Sequence, residues 1–269
     1  MQLTIVAIMF LMYITSALTG IDRGIRFLSN MNMGIALALM VFVLITGPTV
    51  FVLNGLTLGI GDYVQHFVES SFYIPPYGGD TWVYDWTIFY WAWVIAWSPF
   101  VGSFVARISK GRTIREYVLG VMIVPPAIAL VWIAVFGGTS LHMDLFNNQS
   151  IASVVEKDVT SAFFALLEQM PFPFFLSVVA IFLIAIFIVT SADSATFVLG
   201  MMTSGGNPDP SDMSRLIWGT LMAAITAVLI ISSGLDGLQT AALTSALPFT
   251  VILILMSLSL LKSLRQEKI

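Results

Sequence analysis

The sequence predicts an all-helical, polytopic membrane protein, and three observations carry that prediction. Of 269 residues, 58% are hydrophobic and only 10% are charged, against about 25% charged in an average soluble domain. The mean hydropathy is +0.95. The apolar residues also fall in continuous runs of the length a helix needs to cross the bilayer, roughly 20 residues for about 30 Å of hydrocarbon. The runs do not alternate with the period of two that a membrane barrel requires. The net charge of −4 says little, because its placement matters more than its sum. No basic patch of the kind that holds nucleic acid is present. With no cysteine in the chain, disulfides and thiolate chemistry are excluded.

Seven spans are expected within a single transmembrane domain over 1–269. They run about Leu3–Leu18, Met33–Leu53, Trp86–Ile108, Tyr117–Phe136, Phe174–Met202, Leu216–Ser232 and Leu238–Leu261. The first begins almost at Met1, without the basic stretch that precedes a signal peptide's apolar core. Residues 59–76 are too polar to cross. Tyr63, Val64, Phe67 and Phe72 there predict an amphipathic helix lying in the interface and ended by Pro75 and Pro76. Residues 139–173 read as an outer loop holding a short helix near Val159–Leu167.

Basic residues set the orientation. With the C-terminus cytoplasmic, Arg23, Arg26, Arg107, Lys110, Arg112, Arg115, Arg215, Lys262, Arg265 and Lys268 all fall inside, and only Lys157 falls outside. Seven spans then place the N-terminus outside, which is the expectation for a chain whose true beginning lies further upstream.

The densest chemical signal is "WTIFYWAWVIAWSPF", Trp86 to Phe100. On a helix Phe89, Trp93, Trp97 and Phe104 recur at one-turn spacing with Phe100 beside them, forming an aromatic stripe. Ring faces can hold a quaternary ammonium, which has no N–H to donate, through cation–π contacts of about 0.5 to 2 kcal/mol each. Tryptophans also serve as interface anchors or packing, and that reading suits Trp82 and Trp86. Pro99 lacks an N–H and crowds the carbonyl of Ile95, so a broken helix with a freed oxygen is expected there, a recurring transporter device. Asp193 is the one carboxylate well inside an expected span; it reads either as a proton-coupling group or as a partner for an arginine at the inner mouth. His66 and His142 read as surface or interface histidines, and no metal motif is present.

The run "WTIFYWAWVIAWSPFVGSFVARISKGRTIREYVLGVMIVPP", with "SALTGIDRGIRFLSNMNM" before it and "FIVTSADSATFVLG" after it, resembles the betaine/choline/carnitine transporter family. That resemblance implies an inverted-repeat secondary transporter of about twelve helices, the first five of which would precede this chain. It further implies sodium-coupled uptake of a quaternary-ammonium compatible solute such as glycine betaine by alternating access. The setting would be a bacterial or archaeal inner membrane, with a homotrimer in contact with lipid, Na+ as coupling ion, no other cofactor and no enzymatic step. Trp93 and Trp97, with Phe89, Val94 and Pro99, match the substrate site. Val94 departs from the family pattern, which has a second tryptophan there to enclose the trimethylammonium group. Phe187, Thr190 and Ser191 match a sodium site, although a Thr-Ser pair in an apolar helix ordinarily bonds back to its own carbonyls. Phe100 matches a position by a second sodium site. Arg115 and Glu116, in the loop "ARISKGRTIREY", match the cytoplasmic gate or a lipid contact, whereas Lys110 reads as solvated positive-inside charge. The short ending "KSLRQEKI" implies little osmotic regulation of the tail-dependent kind.

Other classes stay open at this level. They are proton-coupled or sodium-independent choline or carnitine transport or exchange, an inactive fragment, and a heptahelical receptor. A retinal protein is disfavoured because the last span has no interior lysine, Lys262 lying at its end. An intramembrane enzyme is disfavoured because no span holds a His, Cys or paired-carboxylate constellation.

Overall fold

The computed structural model describes residues 2–19, 22–75, 82–147, 149–207 and 209–266, without the side chains of residues 19, 22–26, 107, 108 and 235. Pro76 and Lys268, and the side chains of Arg23, Arg26 and Arg107, therefore lie outside the described residues. The described chain is helical throughout, with no strand: α1 Gln2–Thr19, α2 Asp22–Thr46, α3 Thr49–Gln65, α4 Phe67–Ser71, α5 Phe89–Ile108, α6 Ile114–Asn147, α7 Ile151–Lys157, α8 Ala162–Glu168, α9 Pro173–Thr203 and α10 Asp212–Gln266. A π-helical stretch, Val83–Ile88, leads into α5, and a 3-10 turn, Val159–Ser161, leads into α8. Gly234, at φ 62° and ψ −141°, interrupts α10 in a conformation that side chains rarely tolerate. It separates two apolar arms, Asp212–Gly234 and Asp236–Gln266.

Six helices among the described residues are long and apolar enough to cross a membrane, and the shorter Gln2–Leu18 segment of α1 is the remaining expected span. The expected span Met33–Leu53 is corrected by the structure: α2 stops at Thr46, and Phe51–Leu53 belong to α3. Pro48 supplies no N–H to the carbonyl of Leu44, and α2 has ended before it. The Thr49 hydroxyl donates to that carbonyl instead, at 2.5 Å. The fourth span is also longer than expected. α6 passes through Pro125 and Pro126 and runs on to Asn147, so residues 139–147 are helical. The Asp144 carboxylate, near the end of α6, then accepts from the Ile151 and Ala152 amides at 2.8 and 2.7 Å and starts α7. Of the residues 59–76 expected as an amphipathic helix, 59–65 continue α3 and Phe67–Ser71 form α4, so the helical part ends before Pro75. The short helix expected at Val159–Leu167 is the 3-10 turn plus α8.

The chain divides into two compact units. One comprises Asp22–Tyr73 and Gly111–Ile188. Its core joins Val43 of α2, Val52 of α3, Val135 and Phe136 of α6, Leu166 and Leu167 of α8, and Ala180 of α9. Gly47 lets α2 and α6 approach: a Cβ there would stand 3.2 Å from Thr139 Cγ2 on α6. Asn32 is buried here and donates to the Leu183 carbonyl at 3.3 Å. The other unit comprises Met1–Ile21, Ile74–Lys110 and Val189–Ile269. In it α1 and α5 each pack on α10.

Asp158 caps the 3-10 turn. Its carboxylate accepts from the Ser161 and Thr160 hydroxyls, each at 2.5 Å, and from the Thr160 amide at 3.0 Å. These bonds, with the Ser161 hydroxyl first, hold its pKa below the ordinary carboxylate value. A depressed folded pKa means that the cap is present at neutral pH and is lost as pH falls through that folded value. Protection of the Thr160 amide, its exchange rate relative to the intrinsic rate at the same pH, should therefore be lost only under acidic conditions. In Asp158→Ala protection should be absent at all pH values, with no acid step, as read by hydrogen-exchange mass spectrometry.

Candidate functional site: an aromatic face on α5 and hydroxyls on α9

The five-residue turns of Val83–Ile88 give way to regular α-helix at Phe89. From there the ring positions follow i, i+3 and i+4 neighbours along α5. The predicted stripe is present as two ring groups. In the first, Phe89 and Trp93 lie 5.8 Å apart with a tilt of 36°. In the second, Trp97 and Phe100 lie 6.3 Å apart with a tilt of 43°. Tyr90 joins the first group, 5.8 Å from Trp93 and stacked at 13° on Trp86, 6.1 Å away. The sequence reading missed Tyr90, although its spacing to Trp86 and Trp93 was the available signal. Within this unit Trp93 is 47% and Trp97 54% exposed, so neither ring is consumed by the packing of α5 on α10. Val94 is 60% exposed and, as an aliphatic residue, adds no ring to the face. Phe104 is half-buried one turn further on.

Pro99 is buried, and α5 runs through it without a break. The expected broken helix is therefore corrected. The Ser98 hydroxyl donates to the Ile95 carbonyl at 2.9 Å, filling the place of the proline's missing N–H, and the Ser103 hydroxyl donates to the Pro99 carbonyl at 2.8 Å. The oxygen expected to be available to a ligand already has a partner.

Phe187, Thr190 and Ser191 lie on α9, which carries no proline past Pro173. Phe187 and Ser191, four residues apart, are exposed, and Thr190 is half-buried. The Thr190 carbonyl accepts the Ser194 hydroxyl at 2.9 Å. The half-buried Asp193 offers its backbone carbonyl to the Thr196 hydroxyl at 2.7 Å. Hydroxyl and carbonyl oxygens are the ligand type that hard cations take, and here the Thr190 and Asp193 carbonyls already accept hydroxyls. Among the described residues no group of three His, Cys, Asp or Glu side chains is placed to hold a metal.

Glu116 has a local partner. Its carboxylate accepts from the Thr113 amide at 3.0 Å while the Thr113 hydroxyl accepts from the Glu116 amide at 3.2 Å, a reciprocal cap that starts α6. Arg115 beside it is exposed. His66 pairs with Asp62 one turn earlier at 3.1 Å, and His142 packs between the rings of Phe51 and Phe146 at 5.1 and 4.9 Å. Asp236 stands at the junction of the two arms of α10, just past the Gly234 break, and lines an open pocket of about 710 Å³ with Ser233, Thr240 and Thr244.

A family profile described as BCCT, betaine/carnitine/choline family transporter, matches residues 1–269. The chain belongs to this transporter family. It is 53% identical over 263 residues to an ectoine/hydroxyectoine transporter of Virgibacillus pantothenticus, covering 98% of this chain and 52% of that protein. It is 43% identical over 269 residues to the glycine betaine transporter OpuD of Bacillus subtilis, covering 99% of this chain and 52% of that protein. With the osmo-independent choline transporter BetT1 of Acinetobacter baylyi the identity is 40% over 274 residues, covering 98% and 52%. The chain thus spans about half the length of the curated relatives it matches. Members of this family are transporters rather than enzymes, and the long apolar helices are those of a multi-pass membrane protein.

The Ser98–Ile95 bond gives a testable coupling. Ser98→Ala should cost about 1 kcal/mol of stability by leaving the Ile95 carbonyl without its donor. In a Pro99→Ala background the restored backbone N–H takes that carbonyl, so the same substitution should cost only a small fraction of this. A double-mutant cycle of denaturant unfolding in detergent micelles measures the difference.

Proposed function

We propose that this chain forms part of a sodium-coupled secondary transporter that takes up a compatible solute with a diffuse positive charge, glycine betaine foremost, by alternating access. The observation that carries the reading is the pair of exposed tryptophan faces, Trp93 and Trp97, on a helix of a betaine/carnitine/choline family transporter. A trimethylammonium group offers no N–H and no sharp charge. Polarised ring faces attract it without the desolvation cost of a buried carboxylate. Phe89 and Phe100 flank the two tryptophans in contact distance and fix their planes. Phe187, Thr190 and Ser191 supply neutral oxygens for the coupling ion, with Phe100 beside a second ion. Arg115 lies in the cytoplasmic gate loop. The inside C-terminus, the bacterial inner membrane and a homotrimer complete the reading, which requires the upstream half of a full-length transporter.

A specific observation favours a second substrate. Val94 stands where a further ring would help to enclose a spherical trimethylammonium group, and the ectoine/hydroxyectoine transporter of Virgibacillus pantothenticus is 53% identical. Ectoine carries its positive charge on a flat amidinium ring that has N–H donors. One or two ring faces and a carbonyl suffice for such a group, so a smaller side chain at Val94 costs it less than it costs betaine.

Uptake of radiolabelled glycine betaine and ectoine into proteoliposomes separates the readings, using this chain alone and joined to the upstream half of a full-length relative. Sodium-dependent uptake is expected in the joined form. Trp97→Ala should weaken substrate binding about 2- to 30-fold, the equivalent of one cation–π contact. Val94→Trp should shift preference from ectoine towards betaine. Absence of sodium-dependent uptake of betaine, choline, carnitine and ectoine in the joined form would remove the proposed substrate class.

A further inference from the structure

Arg215 is one of ten basic residues expected on the inside, and in the sequence nothing marks it out from the rest. In the structure it is the most engaged of the described cations. It stands on the first turn of α10, with its side chain only 16% exposed. One Nη donates to the carbonyl of Ala17 at 3.1 Å. α1 ends at Thr19, so Ala17 lies in the last turn, where helix carbonyls have no intrahelical donor and a cation is favoured by the helix dipole. The other Nη reaches Asp209 at 3.4 Å, in the connection between α9 and α10. The guanidinium carbon lies over the ring of Phe197 on α9, 5.1 Å from its centroid. Its Nε is buried without a partner. One side chain thus grips three segments and tolerates an unmet donor to do so.

The packing around it leaves little slack. One turn away the Tyr13 hydroxyl donates to the Gly219 carbonyl at 2.6 Å, so α1 and α10 exchange bonds in both directions. Gly219 is closely surrounded: a Cβ there would stand 2.7 Å from Ile14 Cδ1 and 3.3 Å from Thr196 Cγ2, so the Ile14 side chain would have to shift. Gly200 likewise faces Pro210 at 3.0 Å.

We propose that Arg215 is a positioning residue that clamps the end of α1 to α9 and α10 through its shape, as a planar fork, and that transport turnover depends on this clamp. Charge alone would serve as a topological signal, and there lysine is equivalent. The clamp needs a flat face on Phe197 and two divergent donors in one plane, which an ammonium cannot provide. The turnover part rests on the transporter reading above, whereas the clamp itself does not.

The chain has no cysteine, so a single introduced thiol reports on the clamp directly. Ala17 is 4% exposed in the closed arrangement. In Ala17→Cys, labelling by a membrane-impermeant maleimide in permeabilised membranes should be slow. Adding Arg215→Met or Arg215→Lys should raise the rate at least tenfold, lysine failing to rescue. Labelling in the Arg215→Lys protein that matches the Arg215 parent would overturn the proposal, and if the methionine variant does not assemble, the lysine variant alone decides. In the joined transporter, Arg215→Lys should lower turnover several-fold at an unchanged KM, since Arg215 is placed to hold helices and not solute. Turnover equal to the parent would overturn that part. Raised labelling in a protein that transports none of the tested solutes would keep the clamp and refute the transporter reading instead.

Discussion

A backbone carbonyl in hydrocarbon must find a donor within the protein, because no water is there to supply one. Proline makes that constraint local, since each proline within a helix removes the donor owed to the carbonyl four residues back. At Pro48 and at Pro99 the chain meets it in the same way. A hydroxyl from the adjacent residue, Thr49 or Ser98, donates to the orphaned oxygen of Leu44 or Ile95. The outcomes nevertheless differ. At Pro48 α2 has ended and α3 begins, while at Pro99 the helix continues. The same proline chemistry accompanies a break in one place and a continuous helix in the other.

This constraint also decides what the aromatic segment can contribute. With the Ile95 oxygen taken, α5 offers a ligand its ring faces rather than a bare carbonyl. In the proposed reading the oxygen ligands come from α9, where the Ser194 hydroxyl returns to the Thr190 carbonyl one turn back. The proposed chemistries then fall on different helices, rings on α5 and oxygens on α9. A diffuse organic cation and a small hard ion need those two different surroundings.

Hydropathy alone placed the long spans, because bilayer thickness fixes their length, and ring spacing alone placed Phe89, Trp93 and Trp97 on one face. What remained hidden depends on neighbours distant in sequence or on one-atom substitutions in the hydrogen-bond ladder. Met33–Leu53 is uniformly apolar, so its division at Gly47 and Pro48 leaves hydropathy unchanged. The extension of α6 to Asn147 crosses polar Thr139, Ser140, His142 and Asp144, which read as loop until Asp144 is seen capping α7 and Thr139 is seen buried. Glu116 lies in a motif that signals a gate, yet Thr113 three residues earlier is the pattern of a capping box, legible without any structure. Arg215 could not be read at all, because Ala17 lies 198 residues away.

Charge is scarce in this chain, with 11 basic and 15 acidic residues in 269, and the described ones in contact serve structure: Asp144, Asp158 and Glu116 as caps, Asp62 with His66, Arg215 as a tie. That economy bears on the proposed cargo. A zwitterionic solute is neutral overall, so a site built around a fixed counter-ion would hold an uncompensated charge at membrane depth whenever it stood empty. Ring faces carry no net charge and therefore attract the cationic end of the solute without that penalty in the empty state. A transporter that must pass through an empty state in every cycle gains from recognition of this kind, and exposed tryptophans with charges held at helix ends are the arrangement it requires.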